Sequence, residues 1–236
     1  FQVKIYAGNA GSGTSNTQAI TFDGSEDMSP DMVYIKARDG VNNGEIFDAV
    51  RGVYKYLSTN SNGQENTAFT DNLTAFNSDG FTLGVNTGDD INDTGKNYVA
   101  WCWKAGNGTV TNTTGDKDST VSVNTAAGIS IVKWENDTSD AISIGHSLGA
   151  IPDAVIVKEL GDATNWHSRW KGFAANDYIM LNSNEVKGAS TAVFATLPTS
   201  ALFYTGTAAY HINANLIAYC FTSIQGFSKI GSYTGN

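Results

Sequence analysis

The sequence predicts an all-β protein made of two tandem antiparallel β-sandwich modules, of the jelly-roll or concanavalin-like kind. Three observations predict it. Short β-branched runs alternate with turn residues throughout. Helical periodicity is weak. One set of sequence landmarks occurs twice in the same order, and self-similarity is sought before anything else.

The repeat is anchored at two places. Pro30-Asp31-Met32-Val33-Tyr34-Ile35-Lys36 matches Pro152-Asp153-Ala154-Val155-Ile156-Val157-Lys158, an offset of 122. Asn97-Tyr98-Val99-Ala100-Trp101-Cys102-Trp103 matches Asn215-Leu216-Ile217-Ala218-Tyr219-Cys220-Phe221, an offset of 118. Between them, Arg51-Gly52 aligns with Lys171-Gly172, and Tyr56–Asn60 roughly parallels Tyr178–Asn182. The modules are therefore placed at 1–106 and 128–236. The Thr-, Asn- and Ser-rich segment 107–127 reads as a connector, with an edge strand at Ser119–Val123. Tyr6-Ala7-Gly8-Asn9 returns as Tyr233-Thr234-Gly235-Asn236, which reads as the start of a further repeat. Phe1 reads as a processed start or as the first residue of an excerpt.

Composition agrees with many short strands. Of 236 residues, 41% are hydrophobic and 16% charged, with 25 glycines and only three prolines. No apolar stretch reaches the ~20 residues that span a bilayer, so membrane insertion is not expected. The net charge of -9 and the lack of a Lys/Arg cluster argue against a nucleic-acid partner.

Element by element, Met32–Ala37 and Ala154–Lys158 read as buried strands behind a proline. Phe81–Val85 follows the turn Asn77-Ser78-Asp79-Gly80. Tyr98–Trp103 alternates, with Ala100 and Cys102 on one face and Val99, Trp101 and Trp103 on the other. The second copy repeats this, so Cys102 and Cys220 read as small core residues that do not pair. Glu45–Tyr56 reads as a helical turn or two, interrupted by Gly52.

Chemistry-bearing motifs are few. Gly145-His146-Ser147-Leu148-Gly149 fits the nucleophile-elbow spacing, but that chemistry needs a helix after the serine. Pro152 and a strand follow instead, so a glycine-flanked turn is the favoured reading. Glu135 and Asp137 lack the geometry of a paired-carboxylate glycosidase. Asp89, Asp90, Asn92 and Asp93 form an oxygen-rich loop of the kind that holds calcium, with Asp116 and Asp118 a lesser candidate. Calcium is the one cofactor the sequence suggests. His146, His167 and His211 lack zinc-ligand spacing. Trp166, His167, Arg169 and Trp170 form an aromatic, polar stretch suited to stacking on a sugar face. Its plainer alternative is cover for a sheet edge.

These residues resemble a module of marine tailed-bacteriophage proteins. The landmarks carrying the resemblance are Pro30–Lys36, Asp48-Ala49-Val50-Arg51-Gly52, Ser78–Gly84, Asn97–Gly106, Gly128–Trp134, Gly145–Gly149 and Gly226–Asn236. They span nearly the whole chain. In related sequences the Ser147 position is often glycine, which speaks against a nucleophile. The resemblance implies a non-enzymatic virion protein, in a tail fibre, tail spike or capsid decoration, on the particle surface. It further implies other virion proteins and copies of itself as partners, because virion proteins work in symmetric arrays, and contact with a host-surface glycan. The rival expectation is a carbohydrate-binding module of a secreted bacterial protein.

Overall fold

The computed structural model describes residues 1–10, 17–85, 91–207, 210 and 212–233. The chain divides into two compact units, Phe1–Asn107 and Gly108–Asn236. Both are all-β, with antiparallel sheets and no helix among the described residues.

The first unit holds β1 (Gln2–Ala7), β2 (Gln18–Ile20), β3 (Met32–Ala37), β4 (Gly44–Asp48), β5 (Leu57–Ser58), β6 (Leu73–Asn77), β7 (Gly80–Leu83) and β8 (Asn97–Trp103). A five-stranded sheet runs β1-β8-β3-β4-β5, and a three-stranded sheet runs β2-β7-β6. Val33, Ile35, Phe47, Tyr98, Ala100 and Cys102 from the larger sheet meet Ile20, Leu73, Phe81 and Leu83 from the smaller one. Each such fully buried aliphatic or aromatic side chain contributes about 1.5–3 kcal/mol. The β6–β7 hairpin closes tightly at Asn77↔Gly80. Gly80 has φ +104°, and a Cβ there would fall 1.9 Å from the Ile20 carbonyl oxygen. Only glycine fits that approach.

The second unit holds β9 (Val110–Asn112), β10 (Ser119–Asn124), β11 (Ile129–Asn136), β12 (Ile142–Gly145), β13 (Ala154–Glu159), β14 (His167–Trp170), β15 (Asp177–Met180), β16 (Gly188–Ala189), β17 (Leu202–Thr205) and β18 (Ala214–Phe221). Its large sheet runs β16-β15-β14-β13-β18-β11-β10-β9, and β12 pairs with β17. Val132, Trp134, Val155, Val157 and Cys220 pack with Ile142, Ile144 and Phe203.

Strand register makes the two copies equivalent residue by residue. Cys102 lies between Gln2 and Val33, and Cys220 between Ser130 and Val155. Thus β1, β8, β3, β4 and β5 correspond to β11, β18, β13, β14 and β15, while the β2–β7 pair corresponds to β12–β17. Both cysteines are free and buried.

The repeated Pro-Asp and Lys do the same work in each copy. Asp31 N–H donates to Trp103 O, and its Oδ2 accepts from Ala105 N–H at 2.7 Å. Asp153 N–H donates to Phe221 O, and its Oδ2 accepts from Ser223 N–H at 2.9 Å. Each aspartate therefore pins the chain as it leaves the central strand. Lys36 donates to the Asn42 carbonyl, and the fully buried Lys158 to the Glu159 and Asp162 carbonyls. Each lysine closes the loop after its strand. Burial pulls the Lys158 pKa down to about 8.

Two expectations need correction. Segment 107–127 is not a connector, because it supplies β9 and β10 to the second unit's large sheet. Nor is β10 an edge: it lies between β11 and β9. Glu45–Tyr56 contains strand β4 and a turn rather than helix. Glu45 is buried and accepts from Ser58 Oγ across the β4–β5 pair.

Candidate functional site

The candidate site lies in the second unit, where β13 begins and β14 ends. Ala154 pairs with Trp170, so Pro152-Asp153 and Trp170-Lys171 are neighbours across the sheet. Lys171 N–H donates to Asp153 O at 2.6 Å, and Gly172 turns the chain with φ +87°. Phe173 N–H then closes on Trp170 O at 3.0 Å. This corner opens a cleft of about 330 Å³ lined by Ile151, Trp170, Phe173, Leu197 and Pro198 among others. That is within the size range of small-molecule sites. Ile151 and Leu197 are 58% and 51% exposed, so the cleft presents apolar surface to solvent.

Polar groups frame it. Lys171 Nζ pairs with Asp153 at 2.9 Å. Arg169 is buried beneath, its guanidinium donating to the carbonyls of Ala174, Ala175 and Thr196 and lying over the Phe194 ring. Those bonds fix the 174–175 and 196 segments to β14, and so hold the wall that carries Leu197 and Pro198. Trp170 is half-buried, and its Nε1–H donates to Ser168 Oγ at 3.0 Å, which sets the indole plane.

Of the four residues the sequence singles out, Trp170 and the nearly buried Arg169 line the cleft. Trp166 is 1% exposed and stacks on Tyr219 at 6.4 Å. It is a packing residue, not a sugar platform. His167 is buried on the core face, edge-on to Tyr178 and Tyr210. Burial, with the nearby Lys158 charge, pulls its pKa down to about 4, so it is neutral near pH 7. Burial and strand alternation separate these residues: 167 and 169 point inward, while 170 reaches the rim.

The loop expected to hold calcium is described only in part. Asp89 and Asp90 lie outside the described residues. Asn92 is fully buried and donates to Asn9 Oδ1 and Gly84 O, while accepting from Asn9 N–H. It is a structural clasp. Asp93 faces Lys96 at 2.7 Å. Asp116 accepts from Ser143 N–H and Oγ–H. Among the described residues no group of three or more His, Cys, Asp or Glu could hold a metal. His211 lies outside the described residues.

The Gly-His-Ser-Leu-Gly segment is a turn leading from β12 towards β13. Ser147 has φ +59°, and its Oγ accepts from Asn112 Nδ2 at 2.8 Å. His146 Nδ1 accepts from Leu148 N–H, which leaves Nε2 to donate to Thr199 O. Both imidazole nitrogens are engaged, and neither bond reaches Ser147. The strand–turn–helix support of a nucleophile is not assembled.

Sequence reasoning missed Ile151, Phe173, Leu197 and Pro198. The available signal was the departure of Trp170-Lys171-Gly172-Phe173 from the Asp48–Gly52 landmark of the first copy. In that copy the same corner is sealed: Asp48 and Glu65 both pair with Arg51, whose side chain is wholly buried.

A family model described as "Domain of unknown function (DUF7483)" matches residues 1–236, spanning both units. No curated protein and no solved structure matches the chain.

Proposed function

The chain belongs to the DUF7483 family, and we propose that it is a non-enzymatic, surface-exposed structural protein of a virion that contacts host-surface glycans through the second unit's cleft. The observation that carries the glycan contact is the asymmetry between copies. The scaffold is kept in both, while one corner is sealed by ions in the first and opened onto Trp170 and Phe173 in the second. Differences placed on a common scaffold are where recognition is sought.

The chemistry favours a neutral sugar. Aromatic faces stack on the apolar face of a pyranose. Lys171 is already matched by Asp153, and Arg169 is spent on carbonyls, so no unmatched cation is offered to an acidic sugar. The net charge of -9 also repels anionic ligands. The virion setting rests on the landmark resemblance and on the tandem repeat, since stacked sandwich modules supply rigid length and repeated faces. A carbohydrate-binding module of a secreted protein would use the same cleft.

A glycan array of neutral and acidic sugars tests the cleft. Neutral hits that vanish with Trp170→Ala and Phe173→Ala, at unchanged thermal stability, are expected. Silence on the array removes the glycan reading. Mass spectrometry of purified particles tests the setting: copies of this chain in virions are expected, and its absence from them favours the secreted module.

A further inference from the structure

Asparagine is followed by glycine three times, at Asn43-Gly44, Asn62-Gly63 and Asn107-Gly108. Such a pair is open to attack by the glycine backbone nitrogen on the asparagine side-chain amide. Glycine has no Cβ to shield that nitrogen, and the reaction is intramolecular. The fold leaves the three pairs in different states. Gly44 N–H donates to Asn60 Oδ1 at 3.2 Å, and Asn43 Oδ1 accepts from Asn60 Nδ2 at 2.9 Å. Gly44 is also buried, against the Tyr34 hydroxyl. Gly63 N–H donates to Ser61 Oγ at 3.0 Å. Asn107 and Gly108 are both exposed. Neither the Asn107 side chain nor the Gly108 N–H has a hydrogen-bond partner among the described residues. A Cβ on Gly108 would meet nothing within 4 Å.

We propose that Asn107 is a site of spontaneous deamidation, selected from the three by the fold, and that its product weakens the Asp31 anchor of the first unit. The Gly108 backbone nitrogen gives its proton to solvent base and attacks Asn107 Cγ. The N–Cγ bond forms, the Cγ–Nδ2 bond breaks, and Nδ2 takes a proton from water and leaves as ammonia. Water then opens the cyclic imide at one of its two carbonyls, giving aspartate or isoaspartate. Water is the only co-reactant, and nothing is oxidised or reduced. A bonded N–H resists the first step, because its hydrogen bond is lost before the nitrogen attacks. That holds back Asn43 and Asn62. The consequence falls on Asp31, whose buried carboxylate accepts from the N–H groups of Ala105 at 2.7 Å and Asn107 at 3.1 Å. Burial already pushes the Asp31 pKa up, against the pull of those two bonds. In isoaspartate the main chain runs through the former side chain and lengthens by one carbon. A free α-carboxylate is left two bonds from the nitrogen that donates to Asp31. A like charge placed there opposes the ionised form of Asp31.

The full chain is incubated at mildly alkaline pH and followed by peptide mapping, with fragmentation that separates isoaspartate from aspartate. In the folded chain Asn107 is expected to convert about tenfold faster than Asn43 and Asn62. In concentrated urea the three rates should converge. Ser61→Ala frees the Gly63 N–H, and should speed conversion at Asn62 while leaving Asn107 unchanged. Equal rates in the folded chain, or the same bias in urea, overturn selection by the fold. Hydrogen exchange of the 104–106 amides is then compared between the isoaspartyl chain and freshly prepared parent. Exchange about threefold faster or more in the isoaspartyl chain is the expected result. Equal exchange overturns the effect on Asp31.

Discussion

At one corner of the large sheet, two copies of a single scaffold have taken opposite courses. The first unit buries Asp48 and Arg51 there, with a part-buried Glu65 beside them; the second places Trp170, Lys171 and Phe173 there and leaves a cleft. Asp48 and Trp170 are register equivalents, opposite Met32 and Ala154 respectively. Taking ions out of water costs more than their attraction returns unless their geometry is well satisfied. Arg51 meets that condition: it donates to Asp48, to Glu65 and to the Ile46 carbonyl at 2.8 Å. The ion network closes its corner, while the second corner leaves Ile151 and Leu197 exposed beside the half-buried Trp170 and Phe173. The pair thus separates scaffold from candidate interface within one chain.

The harshest way to break the comparison is to leave the first corner's acids without their cation. Arg51→Ala removes the cation from the buried Asp48 and the part-buried Glu65, leaving Asp48 the bond from the backbone N–H of residue 51, and a loss of about 3 kcal/mol from the first unit is expected. Denaturant-dependent hydrogen exchange, read separately for 1–107 and 108–236, checks it. If the second unit loses as much, the units are not energetically separate. Next come the shared anchors. Asp31→Ala and Asp153→Ala each remove a carboxylate that accepts from the chain leaving β8 or β18, and each should cost its own unit about 1.5–3 kcal/mol. Equal losses sharpen the equivalence of the copies. A loss in one alone breaks it.

Protonation distinguishes the units more gently. All three histidines fall in the second unit. Burial holds the His167 pKa at about 4, against 6.5 for an unfolded chain, and lowers that of His146 as well. The unfolded chain therefore takes up protons first. The stabilisation is complete above about pH 6.5 and is lost as pH falls towards about 4. For His167 alone the loss is about 2 kcal/mol at pH 5. Hydrogen exchange corrected for its intrinsic pH dependence should show the second unit loosening before the first. His167→Gln should remove most of that slope.

Much of the scaffold was legible because its strands alternate. Tyr98–Trp103 and its counterpart show their buried and outward faces residue by residue, and the doubled Pro-Asp anchor fixed the equivalence. What local pattern could not supply was long-range cover. Trp166 and Trp170 fall on one face four residues apart, yet only Trp166 is sealed, by Tyr219 and by the Asn182 side chain that accepts from its backbone N–H. β10 was legible as a strand but not as an inner one, and β9 (Val110–Asn112) was hidden because its residues are largely exposed and it is held only by its pairing with β10. β4 resembled a helix because Ile46, Phe47, Val50 and Val53 mimic helical spacing across a strand and its turn. The cleft's far wall, Leu197 and Pro198, is distant in sequence and is brought near by Arg169.

The smallest expected effect concerns the Gly145–Gly149 turn of the second unit. Ser147 sits at φ +59°, where an L-residue is strained by about 1–2 kcal/mol and glycine is not. Ser147→Gly relieves that strain. It also gives up the bond from Asn112 Nδ2, worth about 0.5–1.5 kcal/mol, and adds chain entropy to the unfolded state of about 0.5–1 kcal/mol. These terms nearly cancel, so thermal unfolding should shift by less than about 1 kcal/mol in either direction. Ser147→Ala loses the bond and keeps the strain, and should be the less stable of the two. If the order is reversed, the backbone at 147 is not the constraint, and the hydroxyl must be explained by something other than its bond to Asn112.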